Sequence, residues 1–224
     1  MSVSIHPDTI PFLRALKANN ERDWFAAHKA RYQTVYNQFK AFAKAVEDQV
    51  SQHDVVELVK VYRIYRDIRF SKDKSPYKGH LSGSFTRATA LRRGGYYFHI
   101  EPGKSFAGGG FWGPDSSDLK RIRQEIAANP DELRTILTAP EFVKVFGELR
   151  GDRLKTAPQG YPKDHPAIDL LRYKQYLLLH EFSDQEAQAP DFAQKIAEVF
   201  AAMRPFLDYM TDILTTDENG VPIV

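Results

Sequence analysis

Thirteen residues concentrate most of the polar chemistry this chain offers: Arg66-Asp67-Ile68-Arg69-Phe70-Ser71-Lys72-Asp73-Lys74-Ser75-Pro76-Tyr77-Lys78, with five cations, two carboxylates, two hydroxyls and two aromatics. Guanidinium forks grip phosphate or carboxylate bidentately, and lysines add mobile positive charge. Arg63, Arg66 and Arg69, with Lys72, Lys74 and Lys78 just beyond, are therefore the candidate oxyanion ligands. Ser71 and Ser75 could donate further hydrogen bonds, and the Tyr77 ring could stack on a base or sugar. The competing reading is an internal ion-pair network, in which Asp67 and Asp73 satisfy neighbouring arginines and fix the loop.

Charge is unevenly spread. Residues 60–93 hold ten Lys/Arg against Asp67 and Asp73, a local +8 in a chain whose total is +2, so the remainder carries −6. Such a concentration of positive charge attracts anionic partners. Single-stranded nucleic acid is the alternative partner, because Tyr62, Tyr65, Phe70, Tyr77, Tyr96, Tyr97, Phe111 and Trp112 are interleaved with the cations. Against it, no RNP-like, KH-like or helix-turn-helix signature is present, and the pI of about 8.6 is below that of a dedicated binder.

Proton transfer, if the protein is an enzyme, falls to Asp67 or His99, the titratable groups beside the cations. His99 and Glu101 are two apart and share a strand face, where Asp67 or Asp73 could join them. Asp164, His165 and Asp169 form a second loose cluster. Neither has His-Glu-x-x-His or another metal spacing, so no metal site is expected. Ser71 and Lys74 match Ser-x-x-Lys formally, but Pro76 follows too closely for the helix that motif needs. Gly108-Gly109-Gly110 could present backbone amides to an anion, yet it lacks a P-loop's following Lys-Ser/Thr, and a tight sheet bend fits it better.

The elements that must position these groups follow from periodicity. Asp8 is placed to cap a helix reaching Asn19, with Phe12, Leu13 and Leu16 inward. Asn20 looks like the cap of a second helix extending to Ser51, its apolar positions Phe25, His28, Tyr32, Val35, Phe39, Phe42, Val46 and Val50 recurring at steps of three or four. From Val55 to Phe70 the period becomes two. Tyr62, Ile64, Ile68 and Phe70 share one strand face, and Arg63, Tyr65, Asp67 and Arg69 the other. Arg66 falls on the apolar side, which places it near a strand edge or against an acid.

Further strands are expected over 81–86, 96–101 and 105–112, joined by short turns as an antiparallel sheet. Beyond them Ser116 or Ser117 caps a helix to Ala128, Pro130 opens a short one, and Pro140 opens another ending at Gly151. A strand is read over 173–182. After Pro190 a last helix carries Phe192, Ile196, Val199, Met203, Phe206, Met210 and Ile213, with a kink expected at Pro205.

Composition excludes several classes. The 224 residues contain no cysteine, which removes disulfides, thiolate nucleophiles and zinc–thiolate sites. No run approaches the roughly 20 apolar residues of a membrane span, and no secretory leader pattern is visible, so the chain reads as cytoplasmic with no membrane partner. Nothing names a cofactor.

Several runs carry a resemblance: Tyr65 to Lys78, Asn19-Asn20-Glu21-Arg22-Asp23-Trp24-Phe25, Gly95-Tyr96-Tyr97, Gly108-Gly109-Gly110, Leu154-Lys155, Pro158-Gln159-Gly160-Tyr161 and Asp164-His165-Pro166. Together they resemble a mainly bacterial family of uncharacterised proteins, the domain of unknown function 2461 group. The resemblance covers nearly the whole chain. It implies one domain and supplies no catalytic roles.

The expectation is thus a single α+β domain over 1–224, helical in 1–54, sheet in 55–112, and helical with one further strand in 113–224. Its antiparallel sheet of four or five strands is covered by the long N- and C-terminal helices. Its expected role is binding of an anionic small molecule at Arg63, Arg66, Arg69, Ser71, Lys72, Lys74, Tyr77 and Lys78. His99 and the triple-glycine strand would complete the walls. A structural or protein-interaction domain is the further alternative.

Overall fold

A computed structural model describes residues 3–89, 91–217 and 221–223. In chain order its elements are α1 (Thr9–Ala18), α2 (Arg22–Ala27), α3 (Lys29–Val50), β1 (Val56–Val61), β2 (Leu81–Arg87), β3 (Gly95–Ile100), β4 (Ser105–Phe111), α4 (Ser116–Ala128), α5 (Asp131–Thr138), α6 (Pro140–Phe146), α7 (Ile168–Leu171), β5 (Tyr176–Phe182), α8 (Asp184–Ala187) and α9 (Phe192–Thr215). The five strands form one antiparallel sheet in the order β1-β2-β3-β4-β5. The α+β class holds, with five strands.

The chain divides into two compact units. The first comprises residues 1–85, 97–107 and 181–198. Its core is aromatic: Phe39 and Phe42 of α3 meet Phe98 of β3 at ring-centroid distances of 5.4 and 5.9 Å, and Phe42 stacks on Phe192 at 5.5 Å. These are the positions that the three-and-four spacing put on the inner face of the second helix. The second unit comprises residues 86–96, 108–180 and 199–224. There Tyr96 stacks on Phe200 at 4.8 Å, and Arg87, only 1% exposed, pairs with Asp208 and hydrogen-bonds Thr211 Oγ1 at 3.4 Å.

Several boundaries differ from expectation, each for a local reason. Asp8 stands before α1, but its carboxylate makes no capping bond and accepts instead from Arg31 Nε and Nη2, both at 2.6 Å. The helix expected to run from Asn20 to Ser51 is two, separated at His28, and Glu21 rather than Asn20 precedes the first of them. Asp115, not Ser116 or Ser117, caps α4, accepting from the Ser117 and Asp118 amides. Helix α6 stops at Phe146 because Gly147 turns to φ +70°, short of the expected Gly151.

Candidate functional site

The largest departure falls on the charged motif. Strand β1 ends at Val61, and residues 62–80 form an irregular excursion instead of continuing the strand to Phe70. Phe70, expected on an inner face, is 97% exposed. Two Asp-centred turns override the alternation. Asp67 Oδ1 accepts the Arg69 amide at 3.2 Å, and Asp73 Oδ1 accepts the Ser75 amide at 2.9 Å. The ends of the excursion nevertheless stay paired. The Arg66 amide donates to Pro76 O at 2.9 Å, the Lys78 amide to Ile64 O at 2.7 Å, and the Tyr62 amide to Ser82 O at 3.0 Å.

Asn20 fastens this pairing from the α1–α2 turn. Its side-chain amide donates to Tyr77 O at 3.0 Å and its carbonyl accepts the Tyr77 amide at 3.1 Å. One side chain thus satisfies both backbone groups of Tyr77 in the manner of a neighbouring strand. The Tyr77 ring, expected to face a ligand, is buried and stacks on Phe25 at 4.0 Å.

Within the motif most charges are answered locally. Arg66 pairs with Asp73 and reaches Ser71 Oγ at 3.4 Å, and Arg69 Nη2 meets Asp67 Oδ2 at 2.6 Å. The Arg69 guanidinium holds the Asp67 carboxyl below its ordinary range, and Arg66, with the Ser75 hydroxyl, does the same for Asp73. Lys74 Nζ donates to Ile68 O at 3.0 Å, while Lys72 is exposed. The internal network weighed from the sequence is therefore the geometry of these four ion-pairing residues.

A different set of cations is left over. Lys78 is half-buried, and burial, then Arg63 and Lys60, push its ammonium below the usual range. Lys60 and Lys78 both lie over the Tyr62 ring, at 5.1 and 5.4 Å from its centroid. Among the described residues no carboxylate stands at ion-pair distance from any of the three.

Arg66, Asp67, Asp73, Ser75, Tyr77 and Lys78 line one cleft of about 630 Å³, together with Lys17, Asn20, Gly79, His80 and Glu101. Arg63, Arg69, Ser71, Lys72 and Lys74 do not line it. At one side of the cleft, a His-carboxylate group was only half-visible in the sequence. His99 Nε2 lies 3.0 Å from Glu101 Oε2, and the third member is His80, not Asp67 or Asp73. The His80 and His99 rings are 4.0 Å apart, and one ligand atom from each of His80, His99 and Glu101 falls within 4.8 Å of the others.

Burial, His99 and Lys78 push His80 down to about 4, and burial lowers His99 as well against the pull of Glu101, so burial favours the neutral form of both imidazoles. Burial alone would raise Glu101, but hydrogen bonds from His99 and Lys17 outweigh it and hold the carboxyl low. The other cluster weighed from the sequence does not assemble. His165 Nδ1 accepts the Ala167 amide at 3.0 Å, and Asp169 pairs with Arg134 at 2.8 Å.

The triple glycine has a packing role. A Cβ on Gly108 would sit 2.8 Å from Leu178 O, and one on Gly110, at φ +113°, 2.2 Å from Tyr176 O. The β5 backbone fills the space a side chain at these positions would need.

A family model described as "Conserved hypothetical protein (DUF2461)" matches residues 8–209. The chain belongs to the DUF2461 family. That match takes in the Tyr65–Lys78 run, Asn20 and all three members of the His-carboxylate group. Comparison of this DUF2461 member with curated proteins and with solved structures gave no match. Among its described residues no helix is long and apolar enough to cross a membrane.

Sequence reasoning missed His80, Lys60, Lys17 and Asn20 as site residues. The readable signal for His80 was a histidine just before β2, opposite a His-x-Glu pair at the end of β3, its neighbour in the antiparallel sheet.

Proposed function

We propose that this DUF2461 protein binds a small anionic ligand, phosphorylated or carboxylated, in the cleft beside Lys78, with Arg63 and Lys60 adding charge. The observation that carries this reading is the crowding of Lys60 and Arg63 on Lys78, with no carboxylate at ion-pair distance from any of the three among the described residues. Such crowding is unfavourable unless an oxyanion relieves it. Lys78, which borders the cleft and is partly desolvated, is the anchor. The reading moves the binding role away from Arg69, Ser71, Lys72 and Lys74, and it assigns no proton transfer to Asp67, whose carboxylate Arg69 already holds.

The test is a thermal-shift and calorimetric titration with inorganic phosphate, a sugar phosphate and a dicarboxylate. Wild type would be run beside Lys78→Met and Arg63→Gln. A ligand at ~100 times its dissociation constant adds about 2.7 kcal/mol of stability. That gain should disappear in Lys78→Met and shrink in Arg63→Gln. No response to any of the three anions ends the proposal and favours a purely structural or interaction role, to which the two local ion pairs of the loop already lend weight.

Single-stranded nucleic acid remains the second partner class because Phe70 stands exposed among Arg69, Lys72 and Lys74. It predicts sequence-independent oligonucleotide binding that weakens steeply with salt and is lost in Phe70→Ala.

A further inference from the structure

We propose that His80, His99 and Glu101 form a binding site for a divalent first-row transition metal, with zinc the best-fitting ion. The donor set is two imidazoles and one carboxylate. Catalytic zinc sites use such a set with a fourth position left open, and open non-haem iron(II) sites use it as well. Ligand atoms around a tetrahedral zinc with bonds of about 2.0–2.2 Å stand roughly 3.3–3.6 Å apart. His99 Nε2 and Glu101 Oε2 are already 3.0 Å apart, and the full triad fits within 4.8 Å. A small side-chain movement would bring the three donors to that spacing.

The supports behind the ligands argue for a built site. His99 lies in β3, Glu101 directly follows it and His80 directly precedes β2, so the neighbouring ends of two paired strands bring all three together. Tyr97 Oη lies 3.2 Å from His99 Nδ1, which leaves Nε2 facing the cluster. The Phe106 ring stacks on His99 at 4.9 Å with planes 14° apart, fixing the orientation of the imidazole. Lys17 Nζ is 3.3 Å from Glu101 Oε1, so Oε2 is the oxygen directed inward. Partners of this kind, here behind His99 and Glu101, are what metal sites use to set tautomer and direction. His80 and Glu101 also line the cleft, which gives the open position access to a ligand. The proposal does not depend on anion binding at Lys78.

The alternative is that the triad is only a hydrogen-bonded network of the sheet. Chelator-treated full-length protein would be titrated with Zn2+ by calorimetry, with Co2+ by visible absorption, and with Mg2+ as a control. The expected result is one Zn2+ per chain, a tetrahedral Co2+ spectrum displaced by Zn2+, and no Mg2+ binding. His80→Asn and Glu101→Gln, checked for folding by circular dichroism, should weaken Zn2+ at least ~100-fold. Tyr97→Phe should weaken it by about 10-fold, in the range for loss of a supporting partner.

Absence of saturable Zn2+ and Co2+ binding by the folded wild type would overturn the site. So would binding unchanged in both ligand variants, which would locate the ion elsewhere. If neither variant folds, the wild-type Co2+ spectrum decides alone: tetrahedral nitrogen and oxygen ligation supports the triad, and a spectrum of the hydrated ion rejects it.

Discussion

In the 62–80 excursion each aspartate is matched by a cation only a few residues away, whereas His80, His99 and Glu101 meet because two strands are paired in a sheet. Asp67 pairs with Arg69 across two positions, and the partners are 56% and 77% exposed. Asp73 finds Arg66 seven positions back. The triad joins residues nineteen and twenty-one apart on better-buried ground and supports them with Tyr97, Phe106 and Lys17. Dense local charge satisfies itself. Groups converging from separate elements are held in place by the fold, and that is the condition for a site whose geometry does not depend on a flexible loop.

The sharpest way to break this comparison is to delete one phenylalanine from each region. Phe98 sits beside His99 on β3 and is fully buried against Phe39, Phe42 and Phe85. Phe98→Ala should cost about 3–5 kcal/mol in urea unfolding. Phe70→Ala should stay within about 0.5 kcal/mol of wild type. Similar costs for the two would mean that the excursion packs against something it is not seen to touch.

Asn20→Ala is next in size. It leaves both backbone groups of Tyr77 without a partner, at a cost of about 1–3 kcal/mol. Amide hydrogen exchange should quicken at Tyr77 and Lys78 while Phe98 stays protected. Uniform quickening would show that the excursion is no separate unit of stability.

A smaller, pH-dependent effect separates two kinds of ion pair. Arg31 holds the Asp8 carboxyl below its ordinary range, and the partners, 34% and 31% exposed, lie in different elements. A depressed carboxylate contributes stability that is present above the unfolded value of ~4 and lost as pH falls through the folded value. Asp8→Asn should therefore be less stable than wild type at pH 7, with the gap closing below pH ~4. Asp67→Asn, removing an exposed pair two positions apart, should show no resolvable gap at either pH. An acid-dependent gap for Asp67 as large as that for Asp8 would refute the distinction.

Periodicity made most of the fold readable, because buried positions in α3, α9 and β3 repeat at the spacing their geometry demands. The α9 pattern is the clearest case: Phe192, Ile196, Val199, Met203, Phe206 and Met210 are all buried as the spacing required, while Ile213 is only half-buried and Leu214 takes the buried position. The excursion was misread because Asp67 and Asp73 compete for backbone amides, an interaction that leaves no mark on hydrophobic alternation. Asn20 was misread because an asparagine before a helix reads as a cap, and nothing local shows that its amide turns to Tyr77. His80 escaped notice since its partners lie beyond a turn, and only strand register brings them together.

The Asn20 clamp has a consequence for how this chain can vary. It closes the pairing at Arg66 and Pro76, so residues 67–75 form a loop whose ends are held whatever lies between them. Lengthening a closed loop is inexpensive, about 0.6 kcal/mol per doubling. The most conspicuous stretch of the sequence is thus also a port, at which segments can be inserted or exchanged while the strand pairing behind it keeps its register.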